Sequence, residues 1–419
     1  MSTEALALVL AGSPAERVVD RTLRTHRTLS SPQRQALKEV IYNVALWRRR
    51  LDFLLGHPDA PPSSLLFAFL QGLARLPASE AAALAGIEPD QLPPLNPAQP
   101  PSLALRHSLP DWLADHFARE LGPEAEDFCA HLNVPGPITL RVNPLRDSRE
   151  DLAIRLRAEG LLTRPGAWSP LALHVDGPRP NLYALPSLRE GRFEVQDEGS
   201  QLLGLLLDAR PGETVLDLCA GAGGKTLLLG AQMRDSGRLL AHDPDPERLD
   251  RLLQRVSRAG LTRVQVLRAP PSPGLDADRV LVDAPCSELG PLRRGPDQRF
   301  RATAEVLTRF PPLQLGLLHQ AAALLRPGGQ LVYATCTVNR AENQDVVTAF
   351  LTSRPDFQRL RPGEGWVSDK CIRDDFLVVT PHLHGTDAFF AAVLQRSTGK
   401  SPQLTDDTRR ERRPTAGLG

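Results

Sequence analysis

The stretch VLDLCAGAGGKT, Val215–Thr226, decides the fold. Its first half is a short apolar run ending in an acid, as a buried strand reads. Its second half places Gly221, Gly223 and Gly224 in a turn that leads into a helix beginning near Lys225. Working outward, the same rhythm repeats. Strand-like RLLAHD precedes PERLDRLLQRVSRAG, a helix with Pro246 at its start and Gly260 at its end. VQVL and RVLVDAPC read as two more strands. A helix carrying Leu313, Leu317, Ala321, Leu324 and Leu325 stops at RPGG, and QLVYATC begins the next strand. Strands alternating with helices predict a parallel sheet covered on both faces, an α/β doubly wound, Rossmann-like core over 206–396. Ligands in such folds sit beyond the carboxyl ends of the strands.

Glycines at such a strand end let a backbone approach a ligand closely, and Lys225 with the helix N-terminus adds positive potential. A glycine-rich turn is also met as a plain tight turn. CAGAGGKT differs from a phosphate-binding G-x-x-x-x-G-K-[ST] loop only in having Cys219 where the first glycine belongs, and VLVD ending at Asp283 resembles the acidic strand that accompanies such loops. Asp243, at the end of the second strand, favours a nucleoside-bearing cofactor over a triphosphate. An acid there suits ribose hydroxyls.

Five cysteines, Cys129, Cys219, Cys286, Cys336 and Cys371, lie far apart with no C-x-x-C pair. The pattern argues against a metal site and against a disulfide framework, and fits a reducing cytoplasm. Cys286 in DAPCSELG and Cys336 in YATCTVNRAEN each follow a strand, at the ligand-binding edge. A free cysteine is usually a small buried hydrophobe. Two on one edge, one beside Asp283, point to chemistry, a thiol with a lowered pKa being a strong nucleophile.

The rest of the chain supplies context. Residues 1–85 read as a helical domain, with Ser31 and Pro32 as a helix start and Leu37, Val40, Ile41, Val44, Leu51, Leu54 and Leu55 at helical spacing. GIEPDQLPPLNPAQPPS, residues 86–102, is a Pro-rich linker. Residues 103–205 mix signals into a small α+β domain: ITLRVNP, LALHV and LYAL as strands, REDLAIRLRAEGL as a helix. Residues 397–419, with Arg409, Arg410, Arg412 and Arg413, read as a disordered tail. The 419 residues are 41% hydrophobic and 24% charged, ordinary for a globular protein, and no apolar run approaches membrane length. Net charge is only +1. Two local clusters are basic: Glu16–Arg50, with nine Lys/Arg against three Asp/Glu, and Arg293, Arg294, Arg299 and Arg301, relieved only by Asp297. Both are candidates for RNA contact, and both could be ordinary solvated faces.

Together these segments resemble the Sun family of RNA cytosine-5 methyltransferases, and within it the branch typified by the bacterial ribosomal RNA small-subunit methyltransferase B. FEVQDEGSQLLG and HGTDAFFAAVLQR resemble the beginning and end of that core, and the paired APC and TC motifs are specific to it. The resemblance implies that the helical domain is NusB-like and binds RNA, most naturally ribosomal RNA, that S-adenosylmethionine is the cofactor, and that the chain acts as a monomer without metal or membrane. It implies that Cys336 adds to cytosine carbon 6, that Cys286 assists product release, and that Asp283 and Lys225 face the base. Cys219, Ala220, Gly221, Ala222, Gly223, Gly224, Lys225, Asp243 and Asp283 would line the cofactor.

The chain departs from the family pattern in three places. LRAPPSPG, with Arg268, Ala269 and Pro270, lacks the usual acid after the third strand. Glu288 stands where Gly or Ala is commoner, and the segment before Arg279 is short and Pro-rich. The competing readings are the same chemistry on transfer RNA, an RNA-binding assembly factor that kept the fold without catalysis, and the phosphate-binding hydrolase.

Overall fold

The structure is a computed structural model that describes residues 1–178, 180–295, 297–363 and 367–398. Apart from Ser397 and Thr398, the expected tail and its four arginines lie outside the described residues.

The first 85 residues form helices Ser2–Leu10, Ala15–Thr25, Ser31–Leu55, Pro62–Ala68 (running on through a wider turn, Phe69–Leu73) and Ala78–Ala85. Leu37, Ile41, Val44 and Leu51 are buried in their common core, as the spacing predicts. The long helix is capped by Ser30, one residue earlier than expected. Ser30 and Gln33 close a reciprocal box, the Ser30 amide donating to Gln33 Oε1 at 2.9 Å, and that fixes the first turn.

Residues 103–132 are helical (Leu103–His107, Asp111–Leu121, Ala125–Leu132). Their buried face, with Leu113, Phe117 and Phe128, packs on Leu289, Leu292 and Ala388 of the α/β core. A four-stranded antiparallel sheet follows: β1 Thr139–Val142, β2 Thr163–Pro165, β3 Ala172–Val175 and β4 Phe193–Val195, in the order β2-β3-β1-β4. Helix Arg149–Ala158 covers one face through Leu152 and Leu156. LYAL is not a strand. Leu182–Ala184 is a single tight helical turn with Tyr183 84% exposed, because Pro186 leaves no room to extend and only Leu182 has a core to enter.

The core sheet contains β5 Thr214–Asp217, β6 Arg238–His242, β7 Val264–Leu267, β8 Ala277–Asp283, β9 Leu325–Thr335, β10 Phe357–Leu360, β11 Ile372–Arg373, β12 Phe376–Val379 and β13 Phe389–Arg396. The order is β7-β6-β5-β8-β9-β13-β12-β11, with β10 also on β13; β5 to β9 are parallel and β13 runs antiparallel to β9. The doubly wound core is therefore present. The third strand survives its Pro-rich sequel, pairing with β6 over four residues. RPGG ends the preceding helix at Leu324 but lies within β9, where a register shift opposite Ala277–Arg279 absorbs it.

Successive residues of the central strands enter opposite cores. Val215 and Leu281 pack with Leu202, Leu203 and Leu228, while Leu216, Val280 and Val282 pack with Leu318, Ala321 and Phe350. Apolar residues on both faces are what a sheet sandwiched between helices requires. Each fully buried leucine contributes about 1.5–3 kcal/mol, so the strand ends that carry polar groups stand on a rigid base.

Candidate active site

After β7 the chain returns across the sheet to place β8 beside β5, so the strand order reverses there and a crevice opens at the carboxyl ends. Asp217 ends β5, Asp243 follows β6, Asp283 ends β8, and Cys336 follows β9. Tertiary structure thus gathers every candidate residue along one edge.

On the glycine side, Gly221 and Gly223 take positive φ (54° and 88°), and helix Gly224–Gln232 starts immediately after them. A side chain at Gly223 would run into Leu252, whereas one at Gly221 would point into open space. The loop is tied from several directions. The Gly221 amide donates to Asp243 Oδ2 at 2.9 Å, and Asp243 Oδ1 accepts from the Asp245 amide at 2.9 Å. Arg255 donates to the Ala222 carbonyl at 2.8 Å, and the fully buried Arg141 of β1 donates to the Gly224 carbonyl and to Gln196. Arg255 and Arg258 both pair with Glu194 of β4. The small sheet therefore braces the glycine loop, a role that the arginine inside the apolar run ITLRVNP signalled without its partner being readable.

Asp217 is fully buried. Burial pushes its carboxyl up to about 7, against the hydrogen bond from Thr226 Oγ1 at 2.8 Å, while Oδ1 has no hydrogen-bond partner among the described residues. Asp217, Asp243 and Asp283 lie close enough to raise the Cys219 thiol further after burial has raised it, so Cys219 is a neutral wall of the crevice. Three acidic side chains converge here, and their combined negative potential suits a ligand carrying positive charge, as a sulfonium cofactor does.

On the cysteine side, Lys225 is nearly buried and donates to Asp283 Oδ2 at 2.6 Å. Cys286 Sγ lies 3.2 Å from Cys336 Sγ, and the Cys336 amide points at Cys286 Sγ at 3.4 Å. Sequence reasoning expected an acidified thiol. The structure reverses that: the hydrogen bond to Cys286, then burial, then the charges of Cys286, Asp283 and Glu288 hold the Cys336 thiol well above the usual range. Glu288 itself is exposed with φ 55°, the left-handed conformation that makes Gly the commoner residue there. The Gly290 amide donates to the Cys336 carbonyl at 2.9 Å, and a Cβ at Gly290 would collide with the Ala388 and Cys336 carbonyls. The loop after Cys286 thus lies flush against the loop after Cys336.

Two residues missed by sequence reasoning support this edge. Glu342 is completely buried and accepts from the Ser287 amide (2.9 Å), Ser287 Oγ, Asn339 Nδ2 (2.9 Å) and Gln314 Nε2 (2.9 Å). Asn343 accepts from Thr335 Oγ1 at 2.6 Å and donates to the Thr337 carbonyl at 2.9 Å. Glu342 and Asn343 stand in YATCTVNRAEN itself, but nothing in their spacing says which segment they hold.

Two expectations about charge resolve differently. Arg268 pairs with Asp250 at 2.5 Å, and no carboxylate replaces the acid absent from LRAPPSPG between Arg268 and Gly274. The cluster Arg293–Arg301 is not a free basic surface. Arg293 and Arg294 pair with Asp387 (2.6 and 2.9 Å), Arg294 also with Asp197 (2.8 Å), Arg301 with Asp297 (3.2 Å), and Arg299 is fully buried against the carbonyls of His107 and Leu132 and the Asn133 side chain.

The strand order, the glycine turn and the acid after the second strand make a crevice for a nucleoside-bearing cofactor, and the family match below identifies it as that of an S-adenosylmethionine-dependent methyltransferase. A family model described as 16S rRNA methyltransferase RsmB/F matches residues 204–395, and one described as an RsmF/B-like ferredoxin-like domain matches 109–181. A relative from Synechocystis sp. named probable ribosomal RNA small subunit methyltransferase B is 34% identical, the match covering 90% of this chain and 94% of the relative. One of the same name from Bacillus subtilis is 30% identical over 85% and 83%. The solved structure of PH0851, 26% identical, superposes over 94% of this chain and 97% of its own with a TM-score of 0.76. The chain belongs to the RsmB/F methyltransferase family, which removes the phosphate-binding hydrolase.

Proposed function

We propose that the protein methylates carbon 5 of a cytosine in small-subunit ribosomal RNA through a covalent adduct with Cys336. The observation that carries the reading is the contact between two thiols from separate strand ends, beside the Lys225–Asp283 pair. Cytosine carbon 5 is a poor nucleophile until something adds at carbon 6. In this reading the Cys336 thiol gives up its proton, its sulfur bonds to carbon 6, and the ring takes a proton at nitrogen 3. Lys225 and Asp283 face the nitrogen and oxygen edge where charge builds. S-adenosylmethionine supplies an electrophilic methyl group, held by Asp243, the Cys219–Lys225 turn and Asp283. Once carbon 5 carries the methyl group, Cys286 in its thiolate form accepts the carbon 5 proton, nitrogen 3 gives up the proton it took, and the Cys336–carbon 6 bond breaks with its electrons returning to sulfur, which restores the aromatic ring. The contact with Cys286 and burial favour the protonated form of Cys336 in the free protein.

The RNA surface in this reading is the helical domain, 1–85, with the unit 103–205 between it and the core, 206–396. Arg17, Arg21 and Arg24 share one exposed face of helix Ala15–Thr25, with Arg27 just beyond. The relatives' names say ribosomal RNA, and that supports the substrate.

Tritium transfer from methyl-labelled S-adenosylmethionine into unmodified small-subunit ribosomal RNA, followed by nucleoside analysis, should give labelled 5-methylcytidine. Cys336→Ala should abolish the transfer, and Cys286→Ala should leave a denaturation-resistant protein–RNA adduct. A fully active Cys336→Ala protein would overturn the adduct. Absence of both transfer and cofactor binding would favour the assembly-factor reading and point to LRAPPSPG.

A further inference from the structure

We infer that Glu342 is the positioning residue that holds the two site thiols in contact, by clamping the loop after Cys286 to the loop after Cys336. This rests on the reading that both thiols act on the base.

Glu342 touches neither thiol. It lies in the short turn Arg340–Glu342, anchored from below by Tyr333 Oη, which donates to the Glu342 carbonyl at 2.5 Å. Each carboxylate oxygen accepts two hydrogen bonds: Oε1 from Ser287 Oγ and Asn339 Nδ2, Oε2 from the Ser287 amide and Gln314 Nε2. All four partners are donors, the pattern only a carboxylate satisfies. They come from three segments. Ser287 is the residue after Cys286, and Asn339 lies three residues after Cys336. Gln314, on helix Pro311–Leu324, also donates to the Pro285 carbonyl at 2.9 Å, one residue before Cys286. Ser287 Oγ meets Thr337 Oγ1 at 2.8 Å, which joins the residues immediately following the two cysteines.

The side chains between the loops are fully buried or nearly so. A merely stabilising group would need only to fill this space. A carboxylate with all four lone-pair directions used fixes relative position as well, because moving either loop breaks a charge-assisted bond. The chemistry asks for that, since one thiol must reach carbon 6 and the other the hydrogen on carbon 5 of the same ring. A misplacement of about 1 Å costs on the order of a hundredfold in rate.

The test compares Glu342→Gln with the unaltered full chain. The replacement keeps size but turns one acceptor into a donor facing donors. The first readout needs neither RNA nor cofactor. Diamide takes two electrons and two protons from a pair of touching thiols, forming a Cys286–Cys336 disulfide and the corresponding hydrazine, and intact mass with peptide mapping follows the rate. The second is methyl transfer, separated into kcat and KM.

Glu342→Gln should slow disulfide formation and lower kcat, each about tenfold or more, with KM for RNA and cofactor changed less than about twofold. Glu342→Asp should recover part of both. Ser287→Ala removes one bond to Glu342 and the Thr337 link without disturbing the buried charge. It should show a smaller change in the same direction, and it decides the matter if Glu342→Gln does not fold. A folded Glu342→Gln with unchanged thiol pairing and kcat, or with KM alone altered, overturns the inference. A wild-type chain that pairs its thiols but transfers no methyl group overturns the proposed function instead, leaving the clamp standing.

Discussion

Arg17, Arg21 and Arg24 stand on the solvent face of a helix whose other side is core, and the single ion pair among them, Arg24 to Asp20, is itself exposed. Arg293, Arg294 and Arg299, equally dense in the chain, are turned inward. Two are held by Asp197 and Asp387 and the third by main-chain carbonyls of the helices Leu103–His107 and Ala125–Leu132. The first group is free to meet phosphate; the second fastens the segment after DAPC to the middle unit and the closing hairpin. Arginine suits both uses, having five donors and a charge it keeps even when buried. Burial pulls Arg299 down only to about 10, so it remains charged at neutral pH.

Three substitutions would break or sharpen this contrast. The largest effect is expected from Arg299→Ala, which empties a fully buried site and strands several carbonyl groups. Chemical denaturation should show a loss of about 4 kcal/mol, and a loss under about 1 kcal/mol would mean the segment is not anchored there. Arg294→Ala leaves Asp197 and Asp387 with only Arg293. Because Arg294 is 33% exposed, the loss should lie near the low end for a broken buried pair, about 3 kcal/mol. Replacing Arg17, Arg21 and Arg24 together by Ala should change stability by less than about 0.5 kcal/mol. It should instead flatten the dependence of RNA affinity on salt, by about 2–3 in the log–log slope. An unchanged slope would move the RNA surface elsewhere and leave the two clusters alike in being structural.

The difference also explains what was legible. Strand ends announce themselves because the signal is local: an apolar run, a turn residue, then a group that must face a ligand. Asp243, Lys225, Asp283, Cys286 and Cys336 were found that way, and they do converge. The pairing of Arg293 and Arg294 was not legible because their partners lie roughly a hundred residues away in each direction, and a count within one window sees only Asp297. Glu342 escaped for the same reason. It sits inside a quoted motif, yet three of its four hydrogen bonds come from Ser287 and Gln314. LYAL failed as a strand because short apolar runs carry no period of their own.

The sequence by itself determined the alternation of strands and helices, the edge on which the chemistry would lie, and the pair of cysteines there. Apolar periodicity and glycine turns act over a few residues. Only the tertiary structure decided that the thiols touch, that their environment keeps Cys336 protonated, that β1 and β4 brace the glycine loop, and which arginines remain free. Proximity, burial and pairing are properties of groups brought together across the chain, and no window of sequence contains both members of such a pair.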